Sequence, residues 1–208
     1  MATRILAVLA GETPTFQSLG DLKADCDFVY AADSGQEVCL QNGFRPDVVV
    51  GDLDSVGERL DGVQYRLRDD QDFSDCDKLL KEISRLGDVD LIVGGLEGDR
   101  FDHVLASLGS IVRSGLDPKI LFQQGYGQIV RARGELCLED VEGQVFSVVG
   151  LGEAVVSTLG AKWEMDRVGV SFESGASLSN VVEGEVLTIT VHEGVVLMVL
   201  GSGTVRWK

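Results

Sequence analysis

The sequence predicts an N-terminal, mostly parallel α/β sheet domain followed by a C-terminal β-sandwich. Three observations carry that expectation. Short apolar runs alternate with helical spacing as far as about residue 125, that helical period then disappears, and short strand-like runs divided by Gly-rich turns follow. Strands alternating with helices imply a parallel sheet covered on both faces, whereas several short strands at near-regular spacing imply a sandwich or partly closed barrel.

Ile5–Leu9 is an apolar run ending at Gly11, as expected of a fully buried strand, and Phe28–Ala32 repeats the pattern before Asp33-Ser34-Gly35. Ser34 is placed to cap a helix running to Asn42, with Gly43 as its stop. Val48–Val50 reads as another buried strand. Ser74, with Asp77 three residues on, opens a helix whose Leu79, Leu80, Ile83 and Leu86 share helical spacing up to Gly87. Leu91–Val93 is a strand, residues 101–114 a helix, and Ile120–Phe122 a strand. Beyond Gly125 the expected strands are Ile129–Arg133, Gln144–Val149, Ala154–Thr158, Val168–Phe172, Val186–Val191 and Val195–Leu200, the last two joined as a hairpin through His192-Glu193-Gly194. No Pro- or Ser-rich linker intervenes, so the expected domains are residues 1–125 and 126–208.

The chain has 208 residues, 44% hydrophobic and 25% charged, a globular composition rather than a disordered one. Its 18 basic and 34 acidic residues leave a net charge of −16, which disfavours a nucleic-acid backbone or an anionic membrane as partner. Phosphates, if handled, need metal ions, because carboxylates alone repel them. Cys26, Cys39, Cys76 and Cys137 are far apart with no Cys-x-x-Cys pair, as expected of free thiols in a reducing compartment. The N-terminal apolar run is too short for a signal peptide and no stretch approaches a membrane span, so the expectation is a soluble, cytoplasmic protein.

The informative acids sit where buried strands end, the side of an open parallel sheet on which ligands bind. Asp33 follows one strand, Asp52 and Asp54 follow the next within Gly51-Asp52-Leu53-Asp54-Ser55, and Asp99 and Asp102 follow Leu91–Val93. Between them lies the acidic loop Asp69-Asp70-Gln71-Asp72-Phe73-Ser74-Asp75. Carboxylates converging on one rim form an oxygen-ligand site suited to Mg²⁺ bridging phosphates, and their mutual repulsion is the physical reason to expect a cation. Singly, each cluster also has an ordinary structural use: Asp75 and Asp77 suit a helix N-terminus, and Asp33 and Asp54 suit turns or caps. Arg100 is an always-charged fork amid acids, fit for phosphate, while His103 suits a structural or a catalytic role equally. There is no Gly-x-x-x-x-Gly-Lys-Ser/Thr loop and no Gly-x-Gly-x-x-Gly after the first strand, so a nucleotide needs another device.

Six ordered segments together resemble the thiamin pyrophosphokinase family: Ala32-Asp33-Ser34-Gly35, Pro46 through Ser55, Asp70 through Asp75, Gly95 with Gly98 through His103, Gly160-Ala161-Lys162-Trp163, and Ser177-Leu178-Ser179-Asn180. The resemblance spans about residues 30–200. It implies an ATP- and Mg²⁺-binding α/β domain, a thiamin-binding β-sandwich, and a homodimer with active sites at the subunit interface. It implies transfer of pyrophosphate from ATP to the thiamin hydroxyl, giving thiamin diphosphate and AMP. By matching positions, Asp52, Asp54 and Asp75 hold Mg²⁺; Asp33, Asp52, Ser74 and Arg100 meet ATP; and Asp54, Asp75, Arg100 and Asp102 are catalytic. Gln71, Asp102, Trp163, Ser179 and Asn180 meet the acceptor. Trp163 is followed by Glu164-Met165 where Pro-Leu is frequent in the family, and Trp207, which matches no motif, is read as structural. Two rival readings use the same acids: a related pyrophosphokinase acting on a pterin alcohol, and a noncatalytic sensor of nucleotide or thiamin.

Overall fold

A computed structural model describes residues 2–98 and 100–201; Asp99 and Trp207 lie outside the described residues. The chain divides into two compact units, Met1–Gln123 and Gln124–Lys208.

The first unit runs β1 (Thr3–Val8), α1 (Leu19–Ala24), β2 (Phe28–Ala32), α2 (Gly35–Gln41), β3 (Val48–Gly51), β4 (Gln64–Leu67), α3 (Asp75–Ser84), β5 (Val89–Gly94), α4 (Phe101–Ser114) and β6 (Lys119–Leu121). All its strand pairs are parallel, in the order β6-β5-β1-β2-β3-β4. The apolar runs form these strands because both faces of a parallel sheet are covered: Ile5 through Val8 and Val48 through Val50 are buried without alternation. From β1 the chain builds outward to β4, then returns through α3 to β5 on the other flank of β1. The crevice between β1 and β5 is therefore the topological switch point of the sheet.

Helix α3 begins as the sequence predicts. Ser74 Oγ accepts from the Asp77 amide and Asp77 Oδ2 accepts from the Ser74 amide, a reciprocal capping box. Ser34 does stand at the N-cap of α2, but its side chain makes no capping bond. Two elements of this unit are too short to give much local signal. Helix α1 has only six residues, and edge strand β4 is half-exposed with no apolar run. The last strand is Lys119–Leu121 rather than Ile120–Phe122.

The second unit contains β7 (Tyr126–Arg131), β8 (Glu135–Glu139), β9 (Val145–Gly150), β10 (Ala154–Leu159), β11 (Val168–Val170), β12 (Asn180–Val181), β13 (Val186–Glu193) and β14 (Val195–Leu200). Two antiparallel sheets, β12-β9-β14-β7 and β11-β10-β13-β8, enclose one core. Phe146, Val148, Val196, Met198 and Leu200 from one sheet pack in a cluster with Leu136, Leu138, Leu187, Ile189 and Val191 from the other. Alternate residues face that core, the period-two arrangement of a β-sandwich.

One expectation fails here. The turn at Gly194 joins no hairpin, because β13 pairs with β10 and β8 whereas β14 pairs with β7 and β9. The turn passes the chain from one sheet to the other. It needs glycine twice over, with φ +77° and an added Cβ only 2.1 Å from the Glu153 carbonyl oxygen. Among the described residues no helix is long and apolar enough to cross a membrane.

Candidate active site

Loops at the carboxyl ends of β1, β2, β3 and β5 line a cleft of about 520 Å³ in the first unit. Its walls include Leu9 to Gly11, Asp33 and Ser34, Ser55, Ser74 to Cys76, Gly95 to Gly98, Arg100, His103 and Ser107. The loops after β1 and β5 are zipped together by backbone hydrogen bonds from Gly11 to Gly95 (2.8 Å) and Glu12 to Glu97 (2.5 Å). Only glycine permits that approach: a Cβ on Gly11 would lie 1.9 Å from the Glu97 carbonyl oxygen.

The acids converge beside this cleft. One carboxylate oxygen each from Asp33, Asp52 and Asp54 lies within 4.8 Å of the others. Leu53 between the last two adopts φ +64°, a left-handed turn within the acidic loop. Asp54 donates its amide to Asp52 Oδ1 at 3.3 Å and accepts from the Ser55 hydroxyl at 2.9 Å. The Asp54 amide is the chief reason that Asp52 titrates below the ordinary aspartate value; Lys78 and the Gln71 side chain assist. Asp33 behaves oppositely. It is 4% exposed, and burial, backed by the negative charges of Asp75, Asp52 and Asp54, pushes its carboxyl above the usual range. Its buried Oδ1 has no hydrogen-bond partner. A buried carboxylate oxygen without a partner, on a residue grouped with two other carboxylates, is what an oxygen-seeking cation satisfies, so the donor set fits Mg²⁺.

Asp75 starts α3 and points to Lys78, whose Nζ lies 3.0 Å from Asp75 Oδ1 and 3.8 Å from Asp52 Oδ2. Burial opposes the charge on Lys78, but the hydrogen bond and charge of Asp75, with Asp52 and Asp33, raise its pKa above the ordinary lysine value. Sequence reading missed Lys78 altogether. Its signal was the three-residue spacing from Asp75, which puts both on one side of α3.

Arg100 lines the cleft and grips Asp102 through two hydrogen bonds of 2.9 and 2.6 Å. That hydrogen bonding lowers the Asp102 carboxyl to about 2. Ser74 also reaches the cleft wall, with its hydroxyl donating to Asp77 Oδ2 at 2.7 Å.

Of the expected acceptor-side residues, Gln71 and Asp102 belong to the first unit and Trp163, Ser179 and Asn180 to the second. Buried Asn180 clamps the Trp163 backbone: its Oδ1 accepts from the Trp163 amide at 3.2 Å and its Nδ2 donates to the Trp163 carbonyl at 2.8 Å. Trp163 remains 58% exposed, with the Lys162 ammonium 5.1 Å from its ring centroid. Ser179, at φ +56°, donates its amide to Ser147 Oγ at 3.0 Å. The side-chain amide of Asn180 therefore supports Trp163.

Fold and site together define a class: an α/β unit with a cleft flanked by carboxylates at its sheet switch point, followed by a β-sandwich that displays an aromatic side chain. A family model for "Thiamin pyrophosphokinase, catalytic domain" matches residues 19–122, and one for "Thiamin pyrophosphokinase, vitamin B1 binding domain" matches residues 135–196. The chain belongs to the thiamin pyrophosphokinase family. Thiamine pyrophosphokinase 1 of Oryza sativa subsp. japonica is 26% identical over 166 residues, which cover 71% of this chain and 63% of that protein. Thiamine pyrophosphokinase 2 of Arabidopsis thaliana is 28% identical over 173 residues, covering 72% and 63% respectively. The chain thus spans less than two thirds of these relatives. Among solved structures, thiamine pyrophosphokinase from Bacillus subtilis shares the fold with a TM-score of 0.79 at 19% identity, covering 97% of this chain and 100% of that one. The Candida albicans enzyme also gives 0.79, at 15% identity, covering 97% and 90%.

Proposed function

We propose that this chain transfers pyrophosphate from ATP to the hydroxyl of thiamin, releasing AMP. The observation that carries the reading is the cluster of Asp33, Asp52 and Asp54 beside the switch-point cleft, with the buried Asp33 Oδ1 unpartnered. The residues that hold Mg²⁺ in this reading are Asp52, Asp54 and Asp75, with Asp33 completing the set; the ion, when bound, neutralises and orients the phosphates.

The chain's own groups do the rest. The thiamin alcohol is a weak nucleophile that attacks the β-phosphorus as the bond to the bridging α–β oxygen breaks, so alignment and charge neutralisation dominate. Gly11 and Gly95 let the loops after β1 and β5 close on one wall of the cleft. Arg100 exchanges Asp102 for phosphate oxygens, and Asp102, no longer held at about 2, is released to receive the alcohol proton. Trp163 offers its face to the cationic rings of thiamin. Asn180 fixes that ring's backbone, and Gln71 and Ser179 complete the acceptor contacts. Ser74 and Asp33 contribute on the nucleotide side. The reading includes a homodimer with active sites at the subunit interface, which sedimentation with and without ligands checks.

Phosphorus NMR of the protein with thiamin, ATP and Mg²⁺, against a control without thiamin, tests the reaction. AMP and thiamin diphosphate formed one to one, only with thiamin, is the expected result. ADP with thiamin monophosphate would replace it with an ordinary kinase. Absent turnover would favour a pterin alcohol as acceptor or a sensor.

A further inference from the structure

We propose that Lys78 is a tethered counter-cation: its ammonium holds Asp52 and Asp75 together while the acidic site is metal-free, and it competes for those carboxylates with an incoming divalent ion. The proposal rests on the metal-site reading above.

Lys78 is buried, and its Nζ lies 3.0 Å from Asp75 Oδ1 and 3.8 Å from Asp52 Oδ2. Four carboxylates, those of Asp33, Asp52, Asp54 and Asp75, gather at these strand ends, and Gly51 packs between two of them. A Cβ on Gly51 would lie 2.9 Å from Asp33 Cβ and 3.3 Å from Asp75 Oδ1. Such a gathering repels itself unless a positive charge stands within it. A lysine ammonium carries a full positive charge and three donors, enough to meet two carboxylates at once. It reaches Asp52 and Asp75 but leaves the buried Oδ1 of Asp33 without a partner. One positive charge therefore comes from the chain, and Asp33 is left for the metal. Two consequences follow: the site keeps its shape without metal, and free metal binds less tightly than the acids alone would dictate, so that occupancy awaits a ligand bringing its own phosphate oxygens.

Lys78→Met keeps most of the apolar stem and removes the charge, whereas Lys78→Arg keeps the charge. Thermal unfolding of the full chain in EDTA and in Mg²⁺ is compared with Mn²⁺ binding followed by electron paramagnetic resonance. The expected result is a Lys78→Met protein that binds Mn²⁺ about tenfold more tightly than wild type, melts earlier in EDTA, and recovers most of that loss in Mg²⁺. Lys78→Arg should track wild type in both. Equal Mn²⁺ affinity in wild type and Lys78→Met, or a loss of stability that Mg²⁺ does not relieve, would make Lys78 an ordinary buried ion-pair partner and overturn the proposal while leaving the metal site standing. No Mn²⁺ binding to any of the proteins would remove the metal reading and this proposal with it. Should Lys78→Met not fold, the lysine side-chain resonance of wild type that is missing from Lys78→Arg decides. It must shift with Mg²⁺ occupancy, and an unmoved signal overturns the proposal.

Discussion

Asp33 and Asp54 share one acidic cluster but not one environment: Asp33 is buried with an unpartnered oxygen, and Asp54 is exposed and takes the Ser55 hydroxyl. Removing the charge from the exposed member should disturb ligand chemistry more than folding. Asp54→Asn is expected to lower thiamin-dependent AMP release by about 10²–10³-fold, the scale of losing one charge-stabilising group, with unfolding within about 0.5 kcal/mol of wild type. Unchanged turnover would take Asp54 out of the metal site. On the acceptor side, Trp163→Ala should weaken thiamin binding by about 0.5–2 kcal/mol, the range of a cation over an aromatic face, and leave ATP binding unchanged. Calorimetry with each ligand separates the two, and equal losses would point to damage in the sandwich core. The acids at strand ends were legible because Asp33 directly follows one buried run and Asp52 and Asp54 closely follow the next. Lys78 was not: its three-residue spacing from Asp75 puts the two on one side of α3, but does not say that this side is buried against Asp52.

Helix α3 carries charge at both ends of its buried face. At its N-terminus the Ser74–Asp77 capping box was readable from spacing alone, and Arg113 of α4 reaches Asp77 at 2.7 Å. Further along, buried Glu82 receives Arg66 at 3.1 Å and Arg68 at 2.5 Å, with Arg85 also bonded to it. Burial alone would raise the Glu82 pKa, but the Arg68 and Arg66 hydrogen bonds and the charges of Arg68 and Arg85 outweigh it and hold the carboxyl below the ordinary glutamate value. A depressed acid pKa adds stability that is present above the unfolded-state value, near 4.3, and is lost as pH falls through the folded-state value. Glu82→Gln should therefore cost about 1–3 kcal/mol near neutrality and reduce the dependence of stability on pH on the acid side. Denaturant midpoints measured from pH 7 down through the acid limb check this, and parallel limbs for the two proteins would contradict it. Strand β4, which supplies Arg66, escaped sequence reading although Gln64-Tyr65-Arg66-Leu67 alternates, because four half-exposed residues with no apolar run are too short a pattern to stand out from a loop. The reverse held at Gly194, where an apparent hairpin signal marks a passage between sheets.

Across the whole molecule, 34 acidic residues against 18 basic ones impose a self-repulsion that the folded chain concentrates. Added monovalent salt should raise the melting temperature by screening it, since the Debye length falls from about 10 Å at 0.1 M to about 3 Å at 1 M. A melting temperature that falls steadily with salt would mean that ion pairs such as Arg4–Asp90 and Lys119–Asp90 outweigh the general repulsion. Composition, the change from helical to strand-only periodicity, and the acids after buried runs determined the class of fold, its α/β-then-β organisation and the general chemistry of the cleft. Those features are local in sequence, because burial on both faces of a parallel strand and the 3.6-residue helical period leave marks within a few residues. Tertiary structure alone decided the rest: that β5 returns beside β1 and makes the crevice, that Gly11 and Gly95 bring two loops to backbone contact, that Asp33 loses its solvent, that Lys78 meets Asp52, and that Asn180 braces Trp163. Each is a meeting of residues distant in the chain or a loss of water at one atom, and such contacts arise only when the elements pack.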